Sequence, residues 1–146
     1  MNPTALFSTV ERRVMDAHRA IYTKSNGRLL GKVGPLRMVK LTTTGRRTGQ
    51  PRSTMLIAPH VGDDQVLLVA SNSGAGNHPA WYLNLRDEPS VELDIDGEPR
   101  TMTARTLSDD ERADAWPRLV RRFPTYAIYQ LGNSRQIPVV ALEPAR

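Results

Sequence analysis

The sequence predicts an α+β domain in which helices pack against an antiparallel β-barrel. Three observations lead to this class. About six short segments have the pattern of extended strands, hairpin-type turns join most of them, and helical patterns occur at the start, in one crossover and before the last strand. The 146 residues contain no repeat, low-complexity tract or linker, so we expect a single domain over residues 1–146, with the barrel over residues 36–144.

The first segment, residues 1–26, has the spacing of an amphipathic helix. Apolar residues recur every three or four positions between charged ones, at Leu6, Val10, Val14, Ala17 and Ile21. This spacing predicts a helix over about residues 4–24, and we expect its apolar stripe to pack on the core. Its basic residues would also suit a helix that lies on a membrane or on a partner, so that alternative stays open.

The predicted barrel begins with a hairpin. Residues 36–43 form a strand, residues 45–49 form a turn in which the glycines at both ends can take a positive φ, and residues 52–59 form the return strand. A second turn at residues 62–64 leads into a short buried strand over residues 65–70. These segments supply the first three strands of the barrel.

The middle of the chain predicts a loop, a helix and a second hairpin. The loop covers residues 71–77 and the helix residues 78–86, with a proline near the first helical turn, where a missing N–H costs nothing. Residues 91–95 alternate apolar and acidic side chains, which is typical of a strand with one buried face. Asp96-Gly97 is a hairpin turn, and residues 101–106 form the partner strand.

The last third of the chain predicts two helices and a final strand. Ser108 and Glu111 have the spacing of a capping box, which opens a helix that runs to about Arg122. A proline ends this helix, and residues 126–131 continue as one or two further helical turns. Residues 137–142 form the last strand, whose proline suggests a position at the edge of the sheet.

The composition excludes several kinds of site. The formal net charge of +5 favours anionic ligands, and the absence of cysteine excludes disulfides, thiolate metal sites and a cysteine nucleophile. No two of the 3 histidines stand at ligand spacing, so we expect no metal. The chain has no Walker loop, dinucleotide fingerprint or serine-hydrolase elbow. Since it also has no signal peptide or membrane-spanning run, we expect a cytoplasmic protein.

A basic turn is the first candidate site. Within residues 42–52, Arg46, Arg47 and Arg52 accompany several hydroxyls around a turn whose glycines expose backbone N–H groups. Guanidinium groups match phosphate and carboxylate oxygens two at a time, and each charge-assisted bond contributes roughly 1.5–3 kcal/mol. This pattern indicates an anion site. A solvated basic loop is the alternative, because loops are commonly charged.

A second candidate site follows at residues 71–85. The small-residue loop offers backbone donors beside a helix N-terminus, which suits an anion or a polar ring. Trp81 would cover a flat ring in this site or, alternatively, belong to the core. Asn84 falls one turn after Trp81 and is expected to face the same site.

These two stretches, Leu41–Arg52 and Asn77–Leu85, together resemble the deazaflavin-dependent nitroreductase family of actinobacteria, which includes F420H2-dependent quinone reductases. The capped helix and Phe123–Tyr129 continue the resemblance, which covers about residues 39–144. It implies a split β-barrel and reduced coenzyme F420 as hydride donor. Quinones and, incidentally, nitroaromatics would be the acceptors.

The resemblance also implies roles for individual residues. It places coenzyme contacts at Arg46, Arg47, Thr48, Arg52, Ser53, Thr54, Met55, Val69, Ala70, Ser71, Asn72, Ala80, Trp81, Tyr82, Leu83 and Asn84. It places substrate contacts at Tyr126 and Tyr129. Three positions depart from the family pattern: Met55 stands where proline is usual, Asn72 where lysine occurs, and Phe123 where tyrosine can occur.

Direct hydride transfer suits a chain without an obvious acid–base pair, since the coenzyme carries the chemistry and the protein supplies orientation. Tyr126 is the candidate to donate a hydrogen bond or proton to the developing oxyanion, unless it is a packing tyrosine. Two rival functions stay open: an FMN-binding split-barrel oxidoreductase, and a non-catalytic barrel that binds nucleic acid. We expect no specific nucleic-acid partner. The oligomeric state and a contact of the first helix with the inner face of the cell membrane stay open.

Overall fold

A computed structural model of the chain describes residues 32–33 and 36–145. The predicted N-terminal helix therefore lies outside the described residues. In the ranges 32–33 and 36–145, eight strands form one sheet, and every strand pairing among them is antiparallel. They are β1 (Lys32–Val33), β2 (Leu36–Thr44), β3 (Pro51–Ile57), β4 (His60–Val61), β5 (Val66–Val69), β6 (Ser90–Ile95), β7 (Glu98–Thr106) and β8 (Val139–Pro144).

The sheet has the order β1-β2-β6-β7-β8-β5-β4, and β3 pairs with β2 beside this path. Three α-helices within the described residues accompany it: α1 (Ala80–Asp87), α2 (Asp109–Arg122) and α3 (Thr125–Leu131). The predicted α+β class with an antiparallel barrel-type sheet is confirmed. None of the helices within the described residues is long and apolar enough to span a membrane.

The β2–β3 hairpin forms as predicted, but its two glycines differ. Gly49 has a φ of 70°, which favours glycine, whereas Gly45 is not among the residues with positive φ. Of the two glycines that can take a positive φ, only Gly49 does so. A Cβ atom at Gly45 would lie 3.0 Å from Thr48 Oγ1 and 3.1 Å from the Gln50 carbonyl oxygen. Close approach of the chain explains glycine at this end of the turn.

The β6–β7 hairpin confirms the alternating pattern. Val91, Leu93 and Ile95 are buried, and they stand at every second position of β6, so one face of that strand lines the core. Asp96 and Gly97 have φ values of 54° and 85°. Positive φ at both central residues is what a two-residue hairpin turn of type I′ requires.

The last strand, β8, is central, so the predicted edge position was wrong. It pairs with β7 on one side and β5 on the other. Pro138 precedes its first residue, and the Pro138 carbonyl oxygen accepts a hydrogen bond from the Ala70 N–H at 2.9 Å. Pro138 lies opposite Ala70, just before the first residue of β8, and the Ala70 carbonyl oxygen, which an N–H at residue 138 would face, accepts from Arg135 instead.

The core has two main layers on opposite faces of β5 and β8. Inside the sheet, Leu68 and Val140 pack with side chains of β2, β6 and β7 and with α1. On the other face, Leu67 and Val139 pack with α2 and α3. Coverage on both faces explains why these two strands read as continuous apolar runs rather than alternating ones.

The capping box at the start of α2 is confirmed. The Ser108 hydroxyl oxygen accepts from the Glu111 N–H at 3.3 Å, and the Glu111 carboxylate accepts from the Ser108 N–H at 3.1 Å. The same carboxylate accepts two hydrogen bonds from Arg105 on β7. These contacts lower the pKa of Glu111 to about 2, with the Arg105 hydrogen bond as the largest cause. The helix start is thereby fixed to the sheet.

We expect Ser108→Ala to lower the free energy of unfolding by about 1 kcal/mol, because the Glu111 N–H loses its acceptor at the helix terminus. Urea unfolding followed by circular dichroism measures this change. Ser90→Ala, at the exposed start of β6, is the control and should stay within roughly 0.5 kcal/mol of the wild type. Equal stability of the two variants would contradict the capping role.

Candidate functional site

The basic turn between β2 and β3 has a fixed backbone. The Gly45 N–H donates to the Gln50 carbonyl oxygen, and the Gly49 N–H donates to the Gly45 carbonyl oxygen, both at 2.8 Å. The Thr48 hydroxyl oxygen accepts from the Gln50 N–H at 3.2 Å and from Arg52 Nη2 at 3.5 Å. The turn therefore presents its side chains from a closed, hydrogen-bonded loop.

The three guanidinium groups of this turn, on Arg46, Arg47 and Arg52, belong to exposed residues. Within the part of the chain that the structure describes, no carboxylate forms an ion pair with any of them. Elsewhere in the same part, Arg37 and Arg105 do pair with acidic side chains. The positive charge of the basic turn is thus left for an anion from outside the chain.

A buried amide joins the basic turn to α1. Asn84 Oδ1 accepts from the Arg46 N–H at 3.1 Å, and Asn84 Nδ2 donates to the Thr43 hydroxyl at 3.1 Å. Asn84 is 5% exposed and Thr43 is 2% exposed. Asn84 was predicted to contact the coenzyme itself, and the structure gives it a clear further role, which is to hold the arginine turn against the helix.

The other predicted residues of α1 lie on different sides of the helix. Ala80 is exposed, while Trp81 and Leu83 are half-buried and pack partly on the core. Tyr82 is buried, and its hydroxyl forms a 3.0 Å hydrogen bond with the Thr106 hydroxyl. Helix geometry therefore does not let all of Ala80–Asn84 face one ligand. Ala80, Trp81 and Leu83 are the accessible members.

The loop before α1, residues 70–78, has an unusual backbone. Asn72, Ser73 and Gly74 have φ values of 50°, 55° and 82° in succession, around a short 3₁₀ turn. Two of these three are not glycine, so the conformation is strained unless the surroundings hold it. Asn72 Nδ2 donates to the Asn77 carbonyl oxygen at 3.2 Å, which closes the loop on itself. We call this segment the 70–78 loop.

Side chains from the segment after α3 hold the 70–78 loop in place. Arg135 donates to the carbonyl oxygens of Ala70, Ser71 and Ala75 at 3.0–3.3 Å. Asn133 Nδ2 donates to the Gly74 carbonyl oxygen at 2.8 Å. Sequence reasoning missed both residues. The only signal was a short polar run, Gly132–Arg135, between a helix and an apolar strand, and it did not show which backbone it would contact.

His78 ends the 70–78 loop as a neutral ring. Burial, followed by the positive charges of Arg135 and Arg86, lowers its pKa. Arg135 Nη1 lies 3.2 Å from His78 Nδ1. Because a guanidinium has no acceptor, Nδ1 must accept, and the ring proton is on Nε2. The imidazole also lies against the Tyr82 ring, with 4.9 Å between ring centroids.

The two predicted substrate tyrosines occupy different environments. Tyr129 is half-buried and lies on the 70–78 loop, since a Cβ atom at Gly74 would be 2.7 Å from its Cδ1 atom. Tyr126 is 4% exposed, and its ring lies 4.6 Å from that of Phe123. Burial, and secondarily Tyr129, raises the pKa of Tyr126 well above its ordinary value. Its phenol stays protonated at any physiological pH.

The remaining predicted residues lie on β3 and at the end of β5. Ser53 and Thr54 are half-buried, and the Ser53 hydroxyl is 2.8 Å from the Thr42 hydroxyl across the hairpin. Met55 is 1% exposed and packs with Met38, so a coenzyme contact at this position would come through its backbone. Val69 and Ala70 are also buried, at 8% and 0% exposure. Their roles stay predictions.

A continuous strip therefore runs from the basic turn through α1 and the 70–78 loop to α3. Asn84 joins the basic turn to α1, and the contact between Gly74 and Tyr129 joins the 70–78 loop to α3. A cavity of about 510 Å³ lies elsewhere, between α2 and the β4–β5 hairpin, and Arg118, Arg121 and Arg122 are among its lining residues. None of the predicted site residues lines it, so we place the candidate site on the strip.

An antiparallel barrel-type sheet flanked by helices, with an exposed basic turn beside a closed loop, places the chain in the class of α+β barrels. The model of the F420H(2)-dependent quinone reductase family matches residues 14–144. The chain belongs to this family. It is thus an oxidoreductase that uses reduced coenzyme F420 to reduce quinones, and the resemblance seen in the sequence is confirmed.

Individual relatives agree with the family. An F420H(2)-dependent quinone reductase of Mycobacterium tuberculosis is 36% identical over 134 residues, covering 89% of both chains. A solved F420-H2 dependent reductase (FDR-A) is 34% identical, with a TM-score of 0.66 over 73% of this chain and 93% of that one. A second solved structure, described as a domain-swapped dimer, is 29% identical, with a TM-score of 0.70 over 97% and 100% of the two chains.

We expect Asn84→Ala to lower the free energy of unfolding by about 1–3 kcal/mol, because the buried Thr43 hydroxyl loses its partner. Thr43→Val removes the hydroxyl itself, so each single variant already breaks the same Asn84–Thr43 hydrogen bond. In the double variant the two losses should therefore not add, with an interaction energy of about 0.5 kcal/mol or more. Urea unfolding of the four proteins of this cycle measures the coupling. Strict additivity would show that the amide does not stabilise the turn through Thr43.

Proposed function

We propose that the basic turn binds the phosphate and glutamate tail of coenzyme F420, that α1 and the 70–78 loop receive its deazaflavin ring, and that a quinone binds beside Tyr126 and Tyr129. One observation carries this proposal. Three exposed guanidinium groups without an acidic partner among the described residues stand on a turn that Asn84 fixes to the neighbouring helix.

The residues present fit this coenzyme. A phosphate and carboxylates along a flexible tail match several guanidinium forks, and Thr48 adds a hydroxyl beside Arg52. At the other end of the strip, the loop and the half-buried Trp81 offer backbone and an aromatic face to a flat ring. When bound, reduced F420 supplies the hydride. FMN and nucleic acid lose support as alternatives, since the chain belongs to an F420-dependent family.

The tyrosines act as neutral hydrogen-bond donors in this proposal. The raised pKa of Tyr126 keeps its proton on the phenol, so the hydroxyl can donate to an acceptor oxygen that gains negative charge. Tyr129 lies on the loop proposed to carry the ring and would border the same space. Alignment by these surfaces removes the need for a separate acid–base pair, because orientation alone can lower a barrier by ~7–11 kcal/mol.

Finer features of the function stay proposals. We expect nitroaromatics to react as incidental acceptors, since a flat, electron-poor ring can occupy the place of a quinone. A cytoplasmic location is an expectation from the sequence. Ile128 and Leu131 on α3 are 67% and 88% exposed. These exposed apolar side chains stand on the same helix as Tyr129 and would suit the hydrophobic substituent of a quinone.

Reversing the charge of the basic turn tests the tail site. We expect Arg46→Glu with Arg47→Glu to raise the Kd for F420 about 100-fold or more, since the two lost charge-assisted bonds contribute roughly 1.5–3 kcal/mol each and a tenfold change is about 1.4 kcal/mol. Binding by the variant should also depend less on ionic strength, because exposed charges are screened by salt. Fluorescence titration with F420 at several salt concentrations measures both effects.

The matched control is Arg118→Glu with Arg122→Glu on α2, which makes the same change in net charge away from the strip. Its Kd for F420 should stay within about threefold of the wild-type value, because distant exposed charges are screened by salt. Equal weakening by both double variants would mean that the net charge of the chain, and not the basic turn, attracts the coenzyme.

Removing the Tyr126 hydroxyl tests the acceptor site. We expect Tyr126→Phe to leave the Kd for F420 within about twofold and to lower kcat with a quinone about 10–100-fold, the loss of one strong hydrogen bond to a charged oxygen. Because its pKa is raised, Tyr126 should cause no loss of kcat between pH 7 and pH 10 in the wild type. Steady-state assays over this pH range check both points, and an unchanged kcat in the variant would refute the role.

A further inference from the structure

Arg135 holds the 70–78 loop from a position far along the chain. Its guanidinium makes five contacts with four residues: three carbonyl oxygens, one of them twice, and His78 Nδ1. We propose that Arg135 is a positioning residue that sets the shape of the 70–78 loop for the deazaflavin ring. This inference rests on the proposed function, because it takes the loop to carry the ring.

The loop needs an external support of this kind. Asn72 and Ser73 have positive φ, a conformation that non-glycine residues adopt only when their surroundings impose it. The Ala70 N–H pairs with Pro138, and Asn72 pairs with Asn77 within the loop. The carbonyl oxygens of Ala70, Ser71 and Ala75 all accept from the guanidinium of Arg135, which also contacts His78 Nδ1, so one side chain joins the start, the middle and the end of the loop.

Arg135 is itself placed by a network from two helices. Gln130 on α3 donates from Nε2 to the Arg135 carbonyl oxygen at 2.9 Å and accepts the Ile137 N–H at 2.9 Å. Arg112 on α2 donates to Gln130 Oε1 at 3.0 Å and to the Ile137 carbonyl oxygen at 2.9 Å. The Arg112 guanidinium also lies 4.2 Å above the Trp116 ring. The backbone on both sides of Arg135 is thus fixed before its side chain reaches the loop.

The charge of Arg135 is balanced by dipoles rather than by an acid. In the described part of the chain no carboxylate forms an ion pair with it. Its partners are carbonyl oxygens and a neutral imidazole, and burial lowers its pKa without removing the charge at neutral pH. Its geometry is also specific to arginine, because lysine has three donors on one atom and no planar fork to span three carbonyl groups.

His78 gives a direct readout of this arrangement without the coenzyme. The groups that face its ring are the Arg135 and Arg86 guanidiniums and the Tyr82 ring. Removing the Arg135 charge should raise the pKa of His78, because one of the two positive charges that disfavour the imidazolium disappears. Keeping a cation at that position should retain most of the lowering, even when the loop loses its hydrogen bonds.

The experiment compares Arg135→Gln and Arg135→Lys with the wild type, with Arg118→Gln as the control for loss of an exposed arginine. In the coenzyme-free proteins, hydrogen exchange of the 70–78 amides and NMR titration of His78 are measured. In the loaded proteins, the Kd for F420 and kcat and KM for a quinone are measured. Arg135→Lys keeps the charge and remains available should Arg135→Gln fail to fold.

We expect Arg135→Gln to speed exchange in the 70–78 loop tenfold or more while the strands of the sheet keep their protection. The pKa of His78 should rise and the Kd for F420 should increase tenfold or more. Arg135→Lys should retain the low pKa of His78 but show the faster exchange and the weaker binding. Arg118→Gln should match the wild type in all of these measurements.

Two results would overturn the inference. One is a folded Arg135→Gln or Arg135→Lys protein whose loop exchange and Kd for F420 stay within twofold of the wild type. The other is a uniform increase of exchange over the whole sheet, which would show a role in global stability alone. Failure of the wild type to bind F420 would instead refute the proposed function, and the positioning role toward the coenzyme with it, so the two failures are distinguishable.

Discussion

The candidate site depends on one constraint: several positive charges must be held close together without acidic neighbours. Like charges repel, and a flexible turn would let the guanidiniums of Arg46 and Arg47 separate. The Asn84 amide opposes this by fixing the turn backbone through its oxygen and the end of β2 through its nitrogen. Because both contacts come from one buried side chain, the turn and α1 keep their relative position. The same helix, α1, also positions the part of the proposed site that receives the deazaflavin ring.

Arginine serves two physically different purposes along the strip. At the basic turn the guanidiniums stay in water, where the cost of holding charge is small and an incoming anion can displace solvent. At Arg135 the guanidinium is partly desolvated and satisfied by carbonyl oxygens, so its hydrogen bonds are already in use. The first kind suits binding and the second suits architecture. Composition alone cannot separate them, since both count equally toward the net charge.

Local patterns predicted most of the fold. The alternation over residues 91–95, the Asp96-Gly97 turn and the Ser108 capping box each concern contacts within a few residues, and all three form as expected. The edge position for the last strand was wrong because strand order depends on distant pairings. Its continuous apolar run was the better guide, since that run reflects cover on both faces.

In the candidate site, too, local patterns could be predicted from the sequence and contacts between distant residues could not. Residue type and spacing were enough to predict the basic turn. The family resemblance follows from the two motifs Leu41–Arg52 and Asn77–Leu85. Asn84 was recognised as a site residue, but its pairing with Thr43 and Arg46 spans about forty positions of the chain and has no local signature. Arg135 was missed for the same reason, since its partners lie 57–65 positions earlier.

In a redox enzyme whose chemistry is carried by a coenzyme, contacts between residues far apart in the chain must position the coenzyme accurately. Hydride transfer requires donor and acceptor atoms to meet at a defined distance, and small displacements reduce the rate steeply. A loop with two non-glycine residues at positive φ would relax if left alone. Contacts from α2 and α3 through Arg112, Gln130 and Arg135 oppose that relaxation. In the proposed mechanism, rigid placement of the loop backbone is therefore what these contacts contribute, beside the hydrogen bond from Tyr126 and the charges of the basic turn.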